Sequence, residues 1–507
     1  MSEQVAVIGA GPAGLSAAVT AAENGAQVLL VDSGPRSGGQ YWRHADPQQD
    51  KGPGRWHHGW RKYQQLSSTA QQQIEAGRLV HLHGHQVLSL QPSAPDQARD
   101  GHSLLVQAVP ELRQKGSGPG LRTITADTVI LSPGTYDRQL PVPGWTLPGV
   151  MAAGGIQAFI KTQGIAPGQR TVVAGTGPFL LAAAASLLHA GAEVSAIVES
   201  SSLAGWIPGV AGGSAGAASG AFVPSKAAEG VEYLALLAKH RVPYFRSTAI
   251  TAIHGHNRAE ALTLSRLKGG RPVPGSERRV EGIDVVGLSW GFVPQAELLV
   301  QSGAVTSLDA DGSLVGVVDA DQRSNIPGLY LAGEITGVSG AAAAVIEGRL
   351  AGASAARQVL GKKARTDIGS LRDRAQLTNH RRFAKAMHRA HPLPAGFSEW
   401  LEDETLICRC EEVPYSEVRE ALDYLKAVEP RGLKGVARVG MGWCQGRMCG
   451  PAAQCLTEKL AEESAEVTSR GVAKRTLSAP VRLGDLATEE QKCSHRHTSG
   501  ERGGDSR

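Results

Sequence analysis

The six cysteines of this 507-residue chain all lie at or after Cys408. Cys408-x-Cys410 and Cys444-x4-Cys449 are two close-spaced thiol pairs separated by 33 residues. Thiolates so arranged hold either a zinc ion or a [2Fe–2S] cluster. Structural zinc usually draws on C-x2-C pairs, and this spacing departs from that habit. Gly442, Gly446 and Gly450 flank the second pair and free backbone N–H groups to bond cluster sulfurs. The pattern favours iron–sulfur, with zinc as the alternative. Cys455 and Cys493 read as bystanders. Disulfide-reductase chemistry needs a redox cysteine pair beside a flavin, and no such pair precedes residue 400.

The second chemical signature lies at the other end of the chain, in VAVIGAGPAGLSAAVTAAENGAQVLLVD (Val5 to Asp32). An apolar strand, a Gly9-x-Gly11-x-x-Gly14 turn, a helix from about Pro12 to Asn24 and a second strand closing on Asp32 make a dinucleotide unit. Gly9 permits the turn, Gly11 admits a pyrophosphate, and Gly14 packs helix on strand. Pro12 opens the helix, and the free N–H groups that follow it at Ala13 and Gly14, with the helix dipole, favour phosphate. Asp32, eighteen residues beyond Gly14, stands where a carboxylate accepts from a ribose.

The bulk properties narrow the class. Hydrophobic residues make up 41%, aromatics 5%, and there are 63 glycines, which suits α/β units built on tight turns. A net charge of +5 is dispersed, so no nucleic-acid surface is expected. The apolar run Phe179 to Ala190 is too short to span a bilayer, and Gln4 to Ile8 already reads as the first strand rather than a leader. The expectation is a soluble, cytoplasmic protein without an integral membrane segment.

Along the chain, Ser33 to Arg43 (SGPRSGGQYWR) is expected to run beside a flavin, with Ser33, Gly38, Gly39 and Gln40 as ligands. A helix near Trp60 to Ala76 precedes one strand from Leu79 to Leu90. That strand would put His81, His83 and His85 on one face and Val87 beside the cofactor. No acidic or cysteine partner accompanies the three histidines, so a metal site there is the weaker reading. Thr128 to Thr135 ends in Ser132-Pro133-Gly134, where an A-T-G turn usually meets FAD; the backbone contacts survive the exchange but a threonine hydroxyl contact does not. A proline-rich crossover leads to a second fingerprint, Gly175-Thr176-Gly177, with Leu180 at the third glycine and Glu199 closing its second strand. An acid there suits NAD(H) or another adenosine nucleotide, and an empty vestigial site is the other option. The Gly/Ala/Ser-rich stretch 204–222 reads as lid, interface loop or linker. Gly333-Glu334 closes a later strand, where an acid commonly meets the ribityl chain. The expected fold is α/β: a discontinuous FAD domain (1–150 and 300–365), an inserted NAD(P)-type Rossmann-like domain (151–299), a helical linker (366–400), a mainly helical cysteine domain (401–465) and an extension (466–507), largely disordered after 487.

Taken together, VIGAGPAGLSAA, GGQYWR, LPVPGWTLPGVMAAGG, SWGFVPQAELL, NIPGLYLAGE and CRCEEV…GMGWCQGRMCGPA resemble the α subunit of the opine oxidase, D-hydroxyproline dehydrogenase and hydrogen cyanide synthase family. The resemblance implies FAD and a bacterioferritin-associated-ferredoxin-like [2Fe–2S] domain on one chain. It also implies two partners: a D-amino-acid-oxidase-like β subunit that oxidises the amine substrate, and a small [2Fe–2S] γ subunit. The α subunit then relays electrons, consistent with the lack of any recognisable acid–base pair in the sequence. Two other readings stand beside it: a self-contained NAD(P)H-dependent reductase, and a non-enzymatic docking or iron-sensing scaffold. The substrate and the terminal acceptor are not legible; a quinone acceptor would bring the chain to the membrane surface.

Overall fold

The structure is a computed structural model describing residues 3–46, 57–92, 101–109, 120–202, 223–361, 371–458 and 465–487. The stretch 204–222, Cys493 and the tail beyond 487 lie outside the described residues. The chain opens with β1 (Glu3–Ile8), α1 (Pro12–Glu23) and β2 (Val28–Val31). Val5, Val7 and Val28–Val31 are fully or almost fully buried because helices and strands cover both faces of a parallel sheet. After α2 (Trp60–Glu75) come β3 (Leu79–Leu82), β4 (His85–Gln91), β5 (His102–Ala108) and β6 (Leu121–Leu131), in sheet order β3-β2-β1-β6-β5-β4. The second half of β6 pairs with β1 in parallel, and its first half pairs with β5 antiparallel. One long strand thus joins a dinucleotide sheet to a meander.

The single strand expected over Leu79 to Leu90 is in fact two. Gly84 adopts φ 63°, a left-handed conformation that breaks the strand, and β3 and β4 go to opposite edges of the sheet. His81, His83 and His85 therefore do not share one strand face, which removes the geometric basis for a shared metal site.

β7 (Thr135–Asp137) leaves this sheet. β8 (Val150–Ala152), α3 (Ala153–Gln163), β9 (Arg170–Gly175), α4 (Phe179–His189), β10 (Glu193–Glu199), α5 (Pro224–Lys239) and β11 (Tyr244–Arg246) begin the next one. β12 (Thr248–His254), β13 (Ala261–Lys268), β14 (Arg271–Pro272) and β15 (Arg278–Glu281) are its antiparallel appendage, and β16 (Val285–Ser289) completes the parallel order β11-β10-β9-β16-β8. The second unit thus repeats the plan of the first. Leu180, at the third-glycine position, is wholly buried in the core that α4 shares with β9 and β10.

β17 (Phe292–Pro294) pairs with β7, so the outgoing and returning chains form a two-stranded connection between the sheets. α6 (Glu297–Gln301), β18 (Thr306–Leu308) and β19 (Leu314–Gly316) follow, and β20 (Leu329–Leu331) rejoins the first sheet beside β6. α7 (Ala341–Leu360) then crosses α1 in close contact. A Cβ on Gly348 would lie 2.0 Å from the Ala13 carbonyl oxygen, and one on Gly352 2.3 Å from that of Ala17. Only glycine fits at either crossing point.

α8 (Leu371–Ala390) packs on α7, where Arg381 donates to the buried Glu347 through Nη2 at 2.7 Å and Nε at 3.0 Å. β21 (Leu406–Cys408), β22 (Val413–Pro414), α9 (Tyr415–Asp423), α10 (Pro430–Ala437) and α11 (Gly450–Thr457) form a small cysteine-bearing unit around Ile407, Val418, Leu433 and Val439. Its seat is the proline-rich crossover: Trp145 Nε1 donates to Leu406 O at 2.8 Å, and the Arg409 guanidinium lies 5.3 Å from the Trp145 ring centre. After α12 (Ala465–Ala473) the chain reaches back to β4, where Ser478 Oγ donates to Val87 O at 2.6 Å. Among the described residues no helix is long and apolar enough to cross a membrane.

Candidate functional site

A cavity of about 1200 Å³ lies between the two dinucleotide turns. Its wall includes Gly9, Gly11, Pro12, Ala13, Asp32, Ser33, Gly39, Gln40, Val87, Pro133, Gly134, Gly177, Gly333 and Glu334. Gly14, Gly175 and Glu199 stand behind the wall. A Cβ on Gly14 would fall 1.7 Å from Gly9 O, and one on Gly175 1.6 Å from Ser289 O, so both glycines serve close backbone packing. Gly11 is different. The nearest atom to its would-be Cβ is Gly39 Cα at 4.0 Å, which leaves open space on the cavity side. The first turn of α1 has no side-chain cap, so its free N–H groups are left for a ligand.

Asp32 accepts from the N–H of Ala10 at 2.5 Å and of Gly34 at 2.7 Å. Burial raises its carboxyl above the ordinary range, and those two N–H groups oppose the rise. Ser132 turns inward, donating to Ile8 O at 2.8 Å, and so locks the end of β6 to the fingerprint turn. One residue past the S-P-G turn, Thr135 Oγ1 donates to Glu334 Oε2 at 2.9 Å. Burial pushes Glu334 up, with Thr135 and the Gly340 N–H opposing. Behind it, Glu347 accepts from the Gly333 N–H at 2.8 Å and from Thr336 Oγ1 at 2.9 Å, fixing the strand-closing turn.

The second fingerprint is satisfied from within. Glu199 accepts from Thr176 Oγ1 at 2.9 Å, the Gly177 N–H at 2.9 Å and the Ser201 N–H at 3.0 Å. His391 Nδ1, from the segment after α8, lies 3.6 Å from its other face. Four neighbours thus surround a carboxylate that is 2% exposed.

Three cavity residues have no sequence signal. Lys161 on α3 is 4% exposed and donates to Tyr41 O at 2.8 Å and Gln157 Oε1 at 3.0 Å. Burial, aided by repulsion from Arg43, lowers its ammonium to about 7. Asp137 accepts from the Gly154 N–H at 2.7 Å and Ser289 Oγ at 3.1 Å, and burial raises it to about 6. Arg447 sits between Cys444 and Cys449 and pairs with Glu297 at 2.8 Å. Each depends on partners more than a hundred residues away or on burial by another unit, which no local spacing announces.

The four cysteines predicted as ligands come together as two thiol pairs, Cys408 with Cys449 and Cys410 with Cys444, each within hydrogen-bonding reach. The Cys449 thiol holds Cys408 down at about 5, against the effect of burial; the N–H groups of Gly440, Glu411 and Cys410 add to the lowering. Cys449 is raised in turn, first by the Cys408 side chain and then by burial. A Cβ on Gly442 would lie 2.2 Å from Cys410 Cβ, so glycine is required for the loops to close on each other. Among the described residues no three His, Cys, Asp or Glu side chains converge on a single ion position. Arg447 and Met448 of this loop also line the main cavity.

Comparison with known proteins is consistent with this arrangement. Residues 3–208 match the family model described as pyridine nucleotide-disulphide oxidoreductase, and residues 319–363 match glucose inhibited division protein A. The A subunit of opine oxidase from Rhizobium meliloti is 30% identical over 95% of this chain and 87% of its own length. Hydrogen cyanide synthase subunit HcnB of Pseudomonas protegens is 29% identical over 89% of this chain and 90% of its own length. The crystal structure of L-proline dehydrogenase from P. horikoshii shares the fold, with a TM-score of 0.64 at 18% identity over 96% of this chain and 79% of that one. With its Rossmann-type sheets, its uncapped glycine turn and opine oxidase relatives spanning nearly its whole length, the chain belongs to the family of opine oxidase A subunits, which are flavin-dependent oxidoreductases.

Proposed function

We propose that the chain is the flavin and iron–sulfur electron-transfer subunit of a heteromeric dehydrogenase acting on CH–NH donors. The substrate class is an opine, D-hydroxyproline or glycine-type amine, and its oxidation takes place on a D-amino-acid-oxidase-like β subunit of the complex. The further member of that complex would be a small [2Fe–2S] γ subunit. The observation that carries the reading is the shared wall: the Cys444–Cys449 loop contributes Arg447 and Met448 to the cavity that Gly11 and Glu334 also line.

The residues fit both groups. Gly11, Pro12 and Ala13 would hold the FAD pyrophosphate, Asp32 the adenosine ribose, Gly333 and Glu334 the ribityl chain, and Gly39 and Gln40 the approach to the ring. Cys408, Cys410, Cys444 and Cys449 would hold a [2Fe–2S] cluster, whose usual four-thiolate ligation matches the two close-spaced thiol pairs that the structure brings together. Together the groups would convert two-electron into one-electron traffic. The chain's own part is to hold the two sites together: Glu297 fixes Arg447, and Tyr136 lines the same cavity wall, with its pKa raised first by burial and then by the Glu297 charge.

Purification of the full chain alone and with its partner tests the reading, using dye-linked oxidation of opines, D-hydroxyproline and proline. The expected result is turnover only in the complex. Strong turnover by this chain alone would overturn it. The second reading, a self-contained NAD(P)H-dependent reductase, draws support from Thr176, Gly177 and Pro178, which line the same cavity. Rapid flavin bleaching by NADH under anaerobic conditions would favour that reading instead.

A further inference from the structure

Six lysine and arginine side chains line the main cavity: Arg36, Arg43, Arg138, Lys161, Lys226 and Arg447. Four have a carboxylate. Arg36 pairs with Asp46 at 2.7 Å, Arg138 with Asp311 at 3.0 Å, Lys226 with Glu229 at 2.8 Å and Arg447 with Glu297 at 2.8 Å. Among the described residues, no carboxylate lies within 4 Å of Arg43 or Lys161.

These two are also neighbours. The charge acting most strongly on Lys161 is the Arg43 guanidinium, and it is repulsive. Lys161 gives two of its three donors to neutral oxygens, Tyr41 O and Gln157 Oε1, and Arg43 gives Nε to Gln40 Oε1 at 3.0 Å. Neutral oxygens satisfy donors without cancelling charge. Asp32, whose field reaches Arg43, is already tied to Ala10 and Gly34. A buried cation and a half-buried one facing the same cavity, with donors to spare, are complementary to an anion.

We propose that Arg43 and Lys161 form a cationic clamp for an anionic group of the bound flavin nucleotide. The proposal rests on the flavin reading above. Two groups of the nucleotide supply such charge: the pyrophosphate, and the pyrimidine side of the ring once it is reduced. Lys161 comes from the second unit and Arg43 from the loop that follows β2, so the clamp would also tie the two units across the ligand.

The test compares full-length wild type with R43M, K161Q and K161R. The glutamine keeps a donor for Tyr41 O while removing the charge. FAD affinity of the apoprotein and the two-electron potential of the bound flavin are both measured. A clamp on the pyrophosphate weakens FAD binding at least tenfold in R43M and K161Q and leaves the potential unchanged. A clamp on the ring leaves affinity for oxidised FAD unchanged and lowers the reduced-to-oxidised ratio at least tenfold, about 30 mV for a two-electron couple. In both cases K161R stays close to wild type. Folded R43M and K161Q proteins with both quantities within twofold of wild type overturn the proposal. If K161Q does not fold, the half-buried Arg43 carries the same test through R43M. A wild-type chain that takes up no flavin overturns the flavin reading itself, and the proposal with it.

Discussion

Arg447, midway along the loop between Cys444 and Cys449, forms a 2.8 Å ion pair with Glu297 at the start of the short helix that follows the return strand. The pair is largely buried, with side-chain exposures of 22% and 5%. It is a direct bond between the cysteine loop and the flavoprotein body, and it lies on the wall of the main cavity.

Replacing Glu297 by alanine leaves Arg447 without its charge partner in a poorly hydrated position. Removing one member of a fully buried pair costs about 3–5 kcal/mol, and the partial exposure of Arg447 brings this case below that range, to about 2–3 kcal/mol. Denaturant unfolding of E297A should show that loss. Stopped-flow reduction should show slower electron passage to the cysteine-bound group, with the flavin itself reduced at the normal rate.

The helix crossing is equally exposed to a small change. In G348A the new methyl group meets the Ala13 carbonyl oxygen, a backbone atom that cannot rotate away. Overpacking of this kind costs about 1–3 kcal/mol, and here it pushes on the first turn of the cofactor-binding helix. G348A should therefore lower thermal stability and also weaken flavin retention on gel filtration. Alanine at Gly230, where a Cβ meets nothing within 4 Å, should do neither.

That contrast marks how far the sequence could be read. The turn at Gly9 and the packing contact at Gly14 were legible because their geometry is local, within six residues of chain. The four cysteines were legible as a group from their spacing, but the pairing of Cys408 with Cys449 and Cys410 with Cys444 joins one sequence pair to the other and is set by the fold. Gly348 and Gly352 carry the same kind of constraint, yet nothing in the local pattern names Ala13 and Ala17 as their neighbours. Lys161, Asp137 and Glu347 were missed because their importance comes from burial by distant segments. The strand over Leu79 to Leu90 is divided because, although His81, His83 and His85 keep a strand-like alternation past Gly84, the left-handed conformation of that glycine breaks the run.

Lys161 gives a stability signature in the apoprotein. Its folded pKa is lowered from 10.5 to about 7, so between those values the unfolded chain binds more protons than the native one. Stability should then rise with pH from about 7 toward 10 and be least below 7, where the buried ammonium is charged. The thermal midpoint of apoprotein K161Q should lack this slope relative to wild type. A parallel slope in both proteins would assign the pH dependence to other groups.

The cysteines separate the two metal readings by composition. C408S and C444S each remove a thiol from a different pair, so both should lose the visible absorbance and iron content of a cluster while C455S keeps them. Two irons and two inorganic sulfides per chain in wild type are the expected stoichiometry. A colourless protein holding one zinc would instead require the four thiols to converge on one ion.

Glu199 supplies the last discriminating measurement. Its carboxylate is already engaged by Thr176, Gly177 and Ser201 and faced by His391, so a ribose arriving at the second fingerprint would have to displace bonds made within the protein. Isothermal titration of the apoprotein with NADH should therefore show no binding at concentrations that saturate a working dinucleotide site, and anaerobic NADH should leave the flavin oxidised. In E199Q one carboxylate oxygen becomes an amide donor. It can no longer accept from the surrounding N–H and O–H groups, and leaving such buried donors unpaired costs about 1–3 kcal/mol each. The variant should be destabilised without gaining NADH affinity. NADH binding by wild type that E199Q abolishes would show that the carboxylate does release its internal partners, and would move the chain toward the NAD(P)H-dependent reading.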